Sequence, residues 1–169
     1  HCYLRGGLAR GAHARVLVVY MPSLSAMALA SMHVGWRVEL VGAMQSGSEL
    51  AETNGTQLWR SLCVAMLGLL HLTSFDFAGA RRIAGGLLET HADEPAGQVR
   101  TIAILTIAYV DLASGQPENA LQRFLSVRDR QSTPKFFLQW YWRMISEFGL
   151  VGAYLELGRR DQAGIAAEQ

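Results

Sequence analysis

The sequence predicts an all-α fold in which antiparallel helix pairs stack side by side as an α-solenoid of about four pairs. The chain of 169 residues is half hydrophobic and only 17% charged, a composition that buries a large core and is incompatible with disorder. A spaced set of apolar and small residues also recurs along it: Met32, Gly35 and Leu40, then Leu72, Phe75 and Ala80, then Leu112, Gly115 and Ala120, then Leu155, Gly158 and Ala163. Successive sets start 40, 40 and 43 residues apart, the periodicity of a repeat architecture. Helix terminators, finally, stand between the expected helices at matching places.

The elements follow in order. Residues 1–13 form a lead-in or the end of a preceding repeat, and residues 14–33 and 37–52 make the first pair, with Gly35 as the stop between them. Asn54-Gly55-Thr56 ends that pair; it also spells a glycosylation sequon, but a helix stop followed by a cap is the simpler reading. The second pair spans 57–73 and 77–91, with Asp76 placed to cap the second helix. Asp93-Glu94-Pro95 separates it from the third pair, 96–114 and 117–130, where Pro117 stands at the first helical position and Glu118 in the first turn. Thr133-Pro134 precedes the fourth pair, 135–157 and a helix from about 160 onward. Small residues at Ala28, Gly68 and Ala108, set against Ala80 and Ala120, allow close helix crossings. Met27, Leu67, Ile107 and Leu150, with Met44, Ala84 and Phe124, are expected to fill the space around them. Each pair leaves an apolar side it cannot bury alone, so stacking in register is the expected solution.

These residues carry a resemblance. Gly68 or Ala108, the turns Phe75-Asp76-Phe77 and Gly115-Gln116-Pro117, and Ala80 or Ala120 followed four residues later by Ala84 or Phe124 resemble the spacing of tetratricopeptide repeats. The copies are longer than that family's 34 residues and lack its aromatic at Ser31 and Asp111. Long repeats of this kind are similar to helical regions of large bacterial signalling proteins. The resemblance implies a right-handed superhelix and a non-enzymatic module for protein–protein interaction, a regulatory or sensory arm beside an output domain. A first residue, His1, that is not methionine fits a segment of a longer protein.

Fifteen basic and fourteen acidic residues give a net charge of +1, which argues against direct nucleic-acid binding. Arg5, Arg10, Arg15 and Arg37 precede the first carboxylate, a surface patch and not a strong field. Residues 16–36 are uncharged and long enough to span a bilayer, but Pro22, Ser23, Ser25, Ser31, His33 and Gly35 interrupt them, so no membrane span is expected. With Cys2 and Cys63 as the only cysteines and no secretory signal, the reducing cytoplasm is the expected compartment. No phosphate loop, H-E-x-x-H helix, C-x-x-C pair or G-x-S-x-G elbow occurs. His1, His13, His33, His71 and His91 lack ligand spacing, so neither metal nor cofactor is expected.

Two groups of residues are candidates for function. The run Phe136-Phe137-Leu138-Gln139-Trp140-Tyr141-Trp142-Arg143 holds five aromatics in seven residues. A helix turns about 100° per residue, so these rings cannot all face the core. Phe137, Trp140, Tyr141, Trp142 and Arg143, with Tyr109, are therefore partner-binding candidates, core packing being the alternative for the cluster. The tetratricopeptide resemblance implies a concave groove on the first helices, whose matching positions here are Leu69, Leu72, Tyr109, Leu112, Phe148 and Leu155, so the expected partner is a protein or peptide with an apolar or amphipathic segment laid along it. Self-association through apolar ends is a further expectation. The second group, His71 and Asp111 at equivalent places in consecutive copies with Tyr109 nearby, is the candidate pocket of an alternative function, small-molecule sensing.

Overall fold

The computed structural model describes residues 38–92, 97–130 and 139–168. The first expected helix, residues 16–36 and the interruptions around Pro95 and Pro134 lie outside the described residues. Among those described are seven α-helices and no strand: α1 (Val38–Thr53), α2 (Gln57–Thr73), α3 (Phe77–Thr90), α4 (Gln98–Ala113), α5 (Pro117–Arg130), α6 (Gln139–Glu156) and α7 (Arg160–Ala167). No helix among them is long and apolar enough to cross a membrane.

Backbone chemistry fixes the turns. Gly55, Phe75, Gly115 and Gly158 all have positive φ, between 61° and 71°. The amide after each reaches back to the last helical turn: Thr56 to the Ala51 carbonyl (2.9 Å), Asp76 to His71 (3.0 Å), Gln116 to Asp111 (2.9 Å) and Arg159 to Tyr154 (2.8 Å). This is the Schellman arrangement, which satisfies carbonyls that the helix end leaves open. Glycine enters that conformation without strain, whereas Phe75 bears a steric cost of about 1–2 kcal/mol. The next helix starts at once. Asp76 Oδ1 accepts a 2.9 Å bond from the Gly79 amide, and Pro117 opens α5 with Glu118 in its first turn.

Each helix packs against its successor, and α2 also meets α4, as α4 meets α6; no other pair of described helices touches. The most enclosed element is α4, buried from Val99 through Ile102–Ala108 to Asp111 apart from its outermost positions. Met44, Met66, Leu70, Ile102, Leu105, Phe124, Trp142 and Leu150 are fully buried, each contributing about 1.5–3 kcal/mol through removal of apolar surface from water. Small residues sit at the crossings. Ala80, Ala108 and Ala120 have no exposed surface, and a Cβ at Gly68 would stand 3.4 Å from Ile83 of α3 and 3.8 Å from Thr106 of α4.

Candidate functional site

On α6 the aromatic run divides by helical turn. Trp140 is 67% exposed, whereas Tyr141 is 7% and Trp142 0% exposed. Arg143 is exposed, and Phe136 and Phe137 lie outside the described residues. Tyr141 and Trp142 are thus core residues, a correction to their reading as surface anchors: a 100° step per residue carries neighbours of an exposed Trp140 back under the fold. The three rings remain in edge contact, with centroids 5.9 Å apart for Trp140–Tyr141 and 5.1 Å for Tyr141–Trp142. Tyr109 serves as an internal strut. Its hydroxyl donates to the Ile145 carbonyl at 2.7 Å, its ring meets Phe124 edge-on at 5.0 Å, and burial pushes its pKa up to about 12.

The inner side of α6 is fixed by close approaches. Ser146 Oγ donates to the Phe124 carbonyl at 3.2 Å, the Phe124 ring lies directly over Gly149, and Leu112 Cδ2 is 3.2 Å from where a Cβ of Gly152 would stand. The outer side carries Trp140, Arg143, Met144, Glu147, Phe148 and Val151, which with Ala166 and Ala167 of α7 line a cleft of about 500 Å³. This is within the size range of ligand and side-chain pockets. Phe148 (64%) and Leu155 (55%) are exposed along the same helix. Glu147 differs from its neighbours: only 9% exposed, it has no hydrogen-bond partner at either carboxylate oxygen among the described residues. An enclosed carboxylate without a donor is costly, and it is matched chemically by a cation, whose affinity for aromatic faces adds to the attraction.

His71 and Asp111 are not brought into a shared pair. His71 Nδ1 lies 2.7 Å from Asp76 Oδ2, so the imidazole joins the cap of its own turn. The Gly79 amide first, and then His71, hold the Asp76 carboxyl below its usual value of 3.8. Asp111 is 1% exposed and accepts from Arg81 Nη2 of α3 at 2.7 Å and from Arg123 Nε of α5 at 2.8 Å. His71, Tyr109 and Asp111 therefore have their polar groups engaged by separate partners.

Sequence reasoning did not single out Glu147, nor the buried contact between His91 Nε2 and Ser61 Oγ at 2.9 Å. The latter joins the end of α3 to the start of α2, while Arg100 of α4 donates to the His91 carbonyl at 2.9 Å. Ser61 also lines a second cleft of about 280 Å³ with Arg60, Arg82 and Thr90. Burial pushes the Cys63 thiol up to about 11, which suppresses the reactive thiolate at neutral pH. Among the described residues no group of three or more His, Cys, Asp or Glu side chains is placed to hold a metal ion. Compared with family models, curated proteins and solved structures, the chain matches none of them.

Proposed function

We propose that the chain is a non-enzymatic array of helix pairs, similar to tetratricopeptide repeats, that holds a segment of another protein on the outer side of α6. The recurrence of left-handed stops at Phe75, Gly115 and Gly158 and the restriction of helix contacts to first and second neighbours support the architecture. The observation that carries the function is a correspondence between α4 and α6. On α4, Leu112 meets α6 at Gly152, and the spacing of Thr101, Leu105 and Ala108 puts them on the same helical face as Leu112. Forty-three residues later the same stripe reads Met144, Phe148, Val151 and Leu155. Leu105 is fully buried, whereas Phe148 and Leu155 are more than half exposed. Thus α6 offers to solvent the side that α4 uses to receive a helix, and an exposed apolar strip of this kind suits the apolar face of an amphipathic helix. Resemblance to long bacterial repeats extends the proposal to a regulatory arm.

Placing the photo-crosslinker p-benzoylphenylalanine at position 148 in cells should give a discrete adduct with another protein. The pair Trp140→Ala and Leu155→Ala should abolish it while circular dichroism and the melting midpoint stay unchanged. Absence of any adduct, or unfolding of the double variant, refutes the reading.

A further inference from the structure

The docking side of α6 differs from an ordinary apolar strip at one position. In register with Glu147 the two preceding first helices carry Val64 and Ile104, so a carboxylate replaces an aliphatic side chain in the middle of an apolar series. Glu147 is 9% exposed and lines the cleft, and the described residues supply it with no donor. Burying a carboxylate unpaired destabilises a folded protein; packing of the domain alone would be better served by another isoleucine. A cation entering the cleft from outside supplies the missing partner. Trp140 and Phe148, 67% and 64% exposed, line the same cleft, and their ring faces attract a cationic group. Arg143 also lines it, one turn before Glu147, and its like charge disfavours an occupant with several positive charges. The matching stripe of α4 receives a helix, which argues that the occupant is helical too.

Resting on the reading of α6 as a docking side, we propose that the partner segment is an amphipathic helix bearing a single basic residue in the middle of its apolar side, and that Glu147 receives this cation beside the rings of Trp140 and Phe148. The apolar stripe gives area, and the charge fixes register: a helix shifted by one turn would leave both the basic group and Glu147 unpaired.

The test uses the chain with two synthetic amphipathic helical peptides, identical except that one carries a central arginine and the other the isosteric, uncharged citrulline. Phenethylammonium serves as a free-amine control. Titration by calorimetry should show the arginine peptide binding about tenfold or more tightly, the scale of one charge-assisted hydrogen bond. Glu147→Gln should erase that preference, and Arg143→Gln should enlarge it by removing a competing cation. Glu147→Leu should raise the melting midpoint of the free chain. Equal binding of the two peptides, or a preference that survives Glu147→Gln, overturns the proposal and leaves the docking side standing. Binding of neither peptide overturns both, and phenethylammonium binding without either peptide assigns the cleft to a free amine instead. A lowered midpoint for Glu147→Leu would show that the fold itself uses the carboxylate, which also overturns the proposal.

Discussion

Gly149 on α6 offers the sharpest test of how closely α5 and α6 are packed. A Cβ added there would overlap the Phe124 ring, and that ring has nowhere to go. Phe124 is fully buried, Tyr109 stands against it at 5.0 Å, and Tyr109 is itself held to the Ile145 carbonyl at 2.7 Å. Ser146 ties α6 to the Phe124 backbone beside it. Gly149→Ala gains about 0.8–1 kcal/mol of helix propensity but must spread α5 from α6, an overpacking cost of typically 1–3 kcal/mol and occasionally more. We expect the steric cost to dominate, giving a net loss of about 1–2 kcal/mol, which corresponds to a fall in melting midpoint of roughly 2–8 °C for a domain of this size. Urea unfolding followed by tryptophan fluorescence and circular dichroism measures it. Phe124→Leu in the same chain should relieve the clash, so the double-mutant cycle should show coupling within the 0.5–3 kcal/mol seen for touching residues. A Gly149→Ala variant as stable as the parent or more so, or an additive cycle, would refute this account of the packing.

Two further outcomes follow from the charged groups. Removing either Arg81 or Arg123 by substitution with methionine leaves Asp111 one partner and, because each arginine is about 40% exposed, should cost only about 1 kcal/mol; removing both strands a buried carboxylate and should cost about 3–5 kcal/mol, so urea midpoints that simply add would contradict the clasp. The Asp76 carboxyl is held below its ordinary 3.8 by the Gly79 amide and His71. In acid the unfolded chain therefore takes up this proton before the folded chain does, so the contribution is complete above about pH 3.8 and disappears as pH falls through the lowered value. Asp76→Asn should flatten that part of the stability–pH curve, and an unchanged acid limb would show that the cap carries no such linkage.

Much of the helical layout was legible because local chemistry fixes it. Gly115 and Gly158 adopt the left-handed stops their sequence context called for, and Asp76 and Pro117 mark the starts of α3 and α5 within a residue. Partners of buried charges were less legible. Repeat equivalence put His71 beside Asp111, but a short side chain takes the nearest carboxylate, and Asp76 is five residues away in the same turn. The arginines that hold Asp111 come from α3 and α5 at positions that are not equivalent to one another, so periodicity had no means of naming them. In the candidate site, the aromatic run announced α6, but which rings face inward depends on how α4 and α5 seat that helix. Glu147 did leave a trace in the sequence, as a charge in register with Val64 and Ile104; its isolation from donors becomes visible only in the folded chain.

Among the described helices, contacts that reach no further than the second neighbour have a consequence for how this chain assembles and comes apart. Few distant segments must find one another, so loop-closure entropy is small and folding can begin wherever two hairpins first meet. Segments with few packed neighbours can likewise open locally before the whole fold is lost. In that setting Asp111 acts as a ratchet tooth: gripping arginines from the helices on both sides of α4, it makes α3, α4 and α5 yield together.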